Sequence, residues 1–320
     1  MSKQSIHERI RAELAQAQNI VISAHIRPDG DAVGSMLGLA QALREQGKQV
    51  QTVLQDDVDP KYFGLIGATE VTHKIEEPYD YLIVVDSADR ARVGNVLDDV
   101  GEIDLVIDHH ISHINFGKID FVEAELEATA LVLYEFMPGW GLPLSKASAE
   151  CLMTGIVADT LGFRTSNTSP KSLRAAANMM DMGVNLPEIY FKTLSSRSIA
   201  ELRYWAQGLG KIHFEDGLVW TSLSLEDRKK SGYQTNDDAD LVNLLSSMQD
   251  ASLAIIFVEQ PEGSVKISWR SVPGVDVSKL AAKFGGGGHA AAAGADVQGA
   301  FEKVIQEVLT ESTAYLINVQ

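Results

Sequence analysis

A chain of 320 residues is long for one compact core and usual for two domains, and its 44 acidic against 27 basic residues leave a formal charge of −17. Long nucleic acid would meet net repulsion, so the balance favours a small anionic ligand in a local pocket. Cys151 is the only cysteine, which excludes an intramolecular disulfide and a thiolate metal cage. No apolar run approaches the roughly 20 residues that span a bilayer, and the N-terminus lacks a signal-peptide core, so a cytoplasmic protein without membrane contact is expected.

Residues 5–18 place Ile6, Ile10 and Leu14 at helical spacing, an amphipathic helix that covers a sheet. The apolar run 19–24 then reads as a strand and delivers His25, Asp29 and Asp31 to one point, with Pro28 and Gly30 forcing the turn between them. An imidazole and two carboxylates form a donor set for Mn²⁺, Zn²⁺ or Mg²⁺. A helix over 34–46 stops at Gly47, residues 48–54 alternate as a second strand, and 56–60 form a loop.

Residues 81–88 repeat the design, a β-branched run that ends in Asp86, and residues 103–110 repeat it again, ending in Asp108, His109 and His110. Three strands thus end in polar groups. In an open α/β sheet the carboxyl ends of parallel strands border the ligand crevice, so these groups converge there. His113, His7, His73 and His213 read as solvent-exposed histidines without a role. Two helical segments, 124–137 and 145–158, lead into Asp159, the acidic residue that a two-metal site would otherwise lack.

From residue 185 the pattern loosens, and 195–212 reads as a polar helix that connects rather than packs. Strands are expected at 217–225, 251–258 and 265–271, with a helix near 240–248, which makes a second, α+β domain. Arg228, Lys229 and Lys230 precede Asp237 and Asp238 and read as a solvated face. The glycines 285–288, flanked by His289 and an alanine helix, offer backbone N–H groups to phosphate or carboxylate oxygens, and Arg270 could add a charge-assisted grip. A last helix covers about 299–309.

These residues, in this order, resemble the DHH phosphoesterase superfamily, whose naming triplet stands as Asp108-His109-His110, and the glycine run resembles the signature of the associated DHHA1 domain. The two-domain layout is similar to the NrnA-type members, described as oligoribonucleases (nanoRNases) that also act as phosphatases of 3′-phosphoadenosine 5′-phosphate (pAp). The resemblance implies a parallel-sheet α/β DHH domain with flanking helices over 1–185, a helical linker over 186–211 and a smaller α+β DHHA1 domain over 212–320, with the active site in the cleft between the domains. It implies one Mn²⁺ on His25, Asp29 and Asp86 and a second on Asp31, Asp86, His109 and Asp159, with Asp86 bridging. His110 would face the substrate phosphate, Asp108 would orient the histidine pair, and Arg270, Gly287, Gly288 and His289 would hold the substrate. Water activated by the two metals would be the nucleophile. Where the family often reads Thr-Gly after the last acidic ligand, this chain has Thr160-Leu161-Gly162, next to Arg164.

The expected substrates are short oligonucleotides or pAp, without long duplexes, handled by a monomer or homodimer. Alternatives within the superfamily are a cyclic dinucleotide phosphodiesterase, a manganese inorganic pyrophosphatase and a RecJ-type exonuclease. A nucleotide sensor without turnover is the alternative outside enzymes.

Overall fold

The computed structural model describes residues 3–272 and 274–319, and the chain divides into two units between Ser196 and Arg197. The N-terminal unit runs α1 (Lys3–Gln16), β1 (Asn19–Ser23), α2 (Gly30–Glu45), β2 (Gln49–Val53), β3 (Tyr81–Val85), β4 (Ile103–Asp108), β5 (Gly117–Val122), α3 (Thr129–Phe136), α4 (Lys146–Asp159), α5 (Pro170–Asp181) and α6 (Leu186–Tyr190). Its sheet is parallel throughout, in the order β2-β1-β3-β4-β5. The edge strand β5 was not anticipated, because Lys118 and Asp120 interrupt its apolar residues.

Period-two alternation divides the side chains of the central strands between two cores. Ile20, Ile22, Ile83, Val85, Leu105 and Ile107 face the helices, whereas Val21, Leu82, Val84 and Val106 face Val93 and Leu97 from the connection between β3 and β4. Helix α2 is buried all round, at 13 of its 16 residues, so it lacks the polar face of a surface helix. Glycines let it approach α4 so closely. A Cβ on Gly34 would lie 2.5 Å from the Cys151 carbonyl and 2.7 Å from the Gly155 nitrogen, and one on Gly38 would meet the Leu152 side chain at 2.7 Å.

The C-terminal unit contains α7 (Ile199–Leu209), β6 (His213–Glu215), β7 (Leu218–Leu223), α8 (Leu225–Ser231), α9 (Leu241–Leu245), β8 (Leu253–Glu259), β9 (Ser264–Ser271), α10 (Ser278–Lys283), β10 (Gly287–His289), β11 (Ala292–Gln298) and α11 (Phe301–Val319). The sheet order is β10-β11-β9-β8-β7-β6, antiparallel except for the β7–β8 pair. Phe257, Ile267 and Trp269 pack beneath α10 and α11, and Ile256 and Val258 pack on the opposite face with Tyr204, Leu241 and Val242.

The stretch 186–211, expected to link the domains, contains the division between the units. Ile189 of α6 joins the first core, while α7, which begins with a Ser198/Glu201 capping box, buries Tyr204 in the second. The glycine run also departs from expectation: Ala292–Gln298 is a strand rather than an alanine helix. Glycine permits this pairing, since a Cβ on Gly288 would lie 2.5 Å from the Ala292 carbonyl and one on Gly286 would lie 2.1 Å from that of Gly294. Lys229 and Lys230 are exposed while Arg228 is buried. Among the described residues no helix is long and apolar enough to cross a membrane.

Gly34→Val should lower the stability of the N-terminal unit by about 1–3 kcal/mol, the usual cost of overpacking, in chemical denaturation followed by circular dichroism. An unchanged transition would mean that the two helices part without cost.

Candidate metal centre

Strand β1 lies between β2 and β3, so the chain leaves it toward one side and returns on the other, which opens a switch point at the carboxyl ends of β1 and β3. His25 follows β1 by two residues and Asp86 directly follows β3. The Asp86 amide donates to the Ile107 carbonyl at 2.9 Å, extending the ladder by one residue before the chain turns. That turn gives Asp86 a φ of 55°, a left-handed conformation that aspartate tolerates better than most residues. Asp108 closes β4, and His109 and His110 follow it.

Helix starts supply the other carboxylates. Asp29 caps α2 by accepting from the Asp31 and Ala32 amides at 3.0 and 3.1 Å. Asp31, buried in the first turn, reaches out of its own helix and accepts from the Thr129 and Ala130 amides of α3 at 2.6 and 2.9 Å. The N-cap of α3 is Ala128, which has no side-chain acceptor, so Asp31 serves that role from another helix. The Thr129 hydroxyl donates to Asp86 Oδ1 at 2.9 Å. Thr129 was not anticipated, and the uncapped start of its helix was the available signal.

Asp159 ends α4. The following residues Leu161, Gly162 and Phe163 have φ values of 47°, 71° and 66°, and the Thr160 hydroxyl accepts from the Phe163 amide at 2.9 Å, so the chain turns tightly directly after Asp159. Arg164 is exposed. Glu127 accepts from the Ser169 amide and, at 3.1 Å, from the Ser172 hydroxyl at the start of α5.

These elements bring His25, Asp29, Asp31, Asp86, His109, His110 and Asp159 together. Three overlapping groups, His25/Asp29/Asp86, Asp31/His109/Asp159 and Asp86/His109/His110, each have ligand atoms within 4.8 Å of one another. His25 Nε2 is 3.5 Å from Asp86 Oδ2, and His109 Nε2 is 3.7 Å from Asp86 Oδ1, so one carboxylate offers an oxygen to each histidine. His109 Nε2 also lies 3.6 Å from Asp159. Both rings are oriented through Nδ1, that of His25 at 2.8 Å from the Ile26 carbonyl and that of His109 at 3.2 Å from the Leu126 carbonyl. A backbone partner on Nδ1 with Nε2 turned to carboxylates is how metal-ligating histidines are held.

Asp108 stands one layer back, fully buried, with its Oδ1 2.7 Å from His110 Nδ1. His113 corrects the expectation of an exposed residue: its side chain is 4% exposed and its two ring nitrogens lie 2.7 Å from Asp108 Oδ2 and 3.1 Å from Asp120 Oδ1. His7 packs among Phe121, Phe136 and Trp140, and the exposed His213 stacks on Trp220. His73 is exposed, with its Nε2 3.1 Å from Asp57. In the C-terminal unit, Arg270 of β9 donates to Asn243 of α9 at 3.1 Å and to the Trp269 carbonyl at 3.0 Å, and Gly287, Gly288 and His289 form the exposed strand β10.

Burial and the neighbouring Asp86 push the Asp159 carboxyl up to about 8, and burial with the charges of Asp86 and Asp159 raises Asp31 well above the carboxylate range. Burial works against charge on His25, yet Asp29 and Asp86 more than offset it and raise His25 to about 11. The same contest, with Asp108 as the main partner, raises His110 to about 9. Burial opposes ionisation of Asp108, but His110 and His113 hold it at about 2. The cluster draws positive charge toward its centre, and its mixed carboxylate and imidazole donors fit divalent cations, which would take the place of the protons.

The profile of the DHH family, N-terminal domain, matches residues 19–156, and that of the DHHA1 domain matches residues 222–318. The chain is 35% identical over 317 residues to the bifunctional oligoribonuclease and PAP phosphatase NrnA of Thermus thermophilus, across 95% of this chain and 94% of that relative. It is 30% identical over 329 residues to the protein of the same name from Mycoplasma genitalium, across 99% of each. Among solved structures, an exopolyphosphatase-related protein from Bacteroides fragilis is similar with a TM-score of 0.88 and 26% identity, across 97% of this chain and 98% of that one.

The raised groups Asp31, Asp159, His25 and His110 all bind more protons folded than unfolded, so without metal the stability of this unit falls as pH rises. The window opens near the ordinary carboxylate value of 3.8 and runs through about 8 for Asp159 to about 11 for His25. Asp108 acts in the opposite sense, its contribution present above 3.8 and lost as pH falls toward about 2. In chelator, the thermal midpoint is expected to be lower at about pH 8.5 than at about pH 5.5, and added Mn²⁺ should raise it more at the higher pH. Equal gains at both pH values would contradict this account.

Proposed function

The chain belongs to the DHH family, and from that membership we propose that it is a metal-dependent hydrolase that cleaves short oligoribonucleotides to mononucleotides and removes the 3′-phosphate of pAp to leave AMP. The observation that carries this reading is the placement of Asp86, one oxygen toward His25 and the other toward His109. In this reading His25, Asp29 and Asp86 hold one divalent cation and Asp31, Asp86, His109 and Asp159 a second, Mn²⁺ being the choice. Cations bound there would supply Lewis acidity toward phosphate oxygens and toward water.

The chain's own groups do the rest. His110, with Nδ1 engaged by Asp108, whose charge favours the protonated ring, donates from Nε2 to the phosphate as negative charge builds in the transition state. Thr129 and the α3 amides keep Asp86 and Asp31 in place as substrate arrives. Water is the nucleophile in this reading, and the Cys151 thiol, fully buried and pushed up to about 12, is not available for that role. Arg270, Gly287, Gly288 and His289 take up phosphate oxygens of the substrate. The charge of −17 supports substrates of few nucleotides over long strands. The similarity to the NrnA proteins of Thermus thermophilus and Mycoplasma genitalium supports the same class.

Purified protein with Mn²⁺ should release AMP from pAp and mononucleotides from a linear RNA dinucleotide. Asp86→Asn, which keeps the left-handed backbone, should lower kcat by more than about 100-fold, the upper end for groups one layer farther out. Turnover of a cyclic dinucleotide alone or pyrophosphate alone would reassign the substrate, and tight nucleotide binding without turnover would overturn the enzyme reading.

A further inference from the structure

We propose that His113 and Asp120 are positioning residues for His110 and act through Asp108; the inference rests on the hydrolase reading above. The four side chains form one hydrogen-bonded series, in which those of Asp108, His113 and Asp120 are buried. His110 Nδ1 lies 2.7 Å from Asp108 Oδ1, His113 Nδ1 lies 2.7 Å from Asp108 Oδ2, and His113 Nε2 lies 3.1 Å from Asp120 Oδ1. The Phe116 and Gly117 amides donate to that same Asp120 oxygen at 3.0 and 3.2 Å, which anchors the series to the start of β5. The His113 ring also stacks on Phe116, with centroids 5.6 Å apart.

A carboxylate held at one oxygen can rotate about its Cβ–Cγ bond and break its other contact. Asp108 is held at both oxygens, by His110 on Oδ1 and by His113 on Oδ2, so the plane of the group is set and Oδ1 stays on His110 Nδ1. His110 thereby keeps its Nδ1–H on Asp108 and its Nε2 turned to where the phosphate would sit. His113 belongs to none of the three ligand groups, so its contribution is to orientation and not to metal binding. The connection that carries it is tied down independently, the Ile114 amide donating to the Ala88 carbonyl at 2.8 Å just beyond Asp86.

The test uses full-length protein with Mn²⁺, pAp and a linear RNA dinucleotide. His113→Leu removes the hold on Asp108 and is expected to lower kcat by about 10–100-fold, the range for groups that orient catalytic ligands, with KM unchanged. His113→Asn restores a donor to Asp108 Oδ2 and should recover most of that loss. Nitrogen-15 spectra of the histidine rings should find His110 Nδ1–H hydrogen-bonded to Asp108 in the wild type and in His113→Asn, and that hydrogen bond weakened or lost in His113→Leu. A wild-type kcat in folded His113→Leu, or equal impairment by leucine and asparagine, would overturn the proposal. Should His113→Leu fail to fold, Asp120→Ala, which removes the acceptor that holds His113 Nε2, carries the comparison: lower kcat at constant KM supports the proposal, and wild-type kcat overturns it. If the wild type hydrolyses neither substrate, the hydrolase reading fails, and the His110 Nδ1–H hydrogen bond to Asp108 still decides whether His113 sets the ring.

Discussion

The candidate site depends on one hydrogen-bonded junction, the carboxylate of Asp31 seated against the first amides of α3. A helix start leaves backbone donors without partners, and a buried start cannot leave them to water. Asp31 answers that need from α2, with the Ser35 hydroxyl 3.1 Å away on the same oxygen that meets Ala130. The contact joins two helix N-termini, both electropositive ends, around a group of carboxylates. An interaction that completes the secondary structure also fixes a member of the site.

The rest of the N-terminal unit keeps that junction in register. The parallel ladder carries His25, Asp86 and Asp108 to one end of the sheet, and α2 presses on α4 through Gly34 and Gly38, which sets the depth at which Asp31 and Asp159 meet. A Cβ on Gly155 would lie 2.7 Å from Asp31 Oδ1, so the packing glycine of α4 also leaves room for the carboxylate. Groups carried on strands and helices are held more precisely than groups on loops, which suits a site whose separations must hold within fractions of an ångström.

Much of this was legible in the sequence because strand chemistry and site chemistry meet at the same residues. The runs that became β1, β3 and β4 are apolar and β-branched, and each stops at a polar residue that water or a ligand must satisfy. What was not legible depends on partners distant in sequence or on short alternation. His113 lies among polar residues with no periodicity, and its burial requires β5, whose alternation is too brief to announce a strand. Thr129 matters through the missing cap of its own helix. The glycine run reads as an open loop because composition does not say which strand will pair with it, and glycine and alanine are the residues that let two backbones meet. Helix α7 reads as a connector because a single face, with Tyr204 at its centre, does the packing.

The backbone of Asp86 constrains how this site could change over generations. At a φ of 55° the position favours aspartate, asparagine and glycine over other residues, and the last two are each one nucleotide away from an aspartate codon. Most replacements there strain the fold and lose the charge together, whereas these two remove the charge and leave the turn intact. The chain therefore has a short mutational route to a folded descendant that has lost its central carboxylate, from which a protein that senses nucleotides without consuming them could be selected.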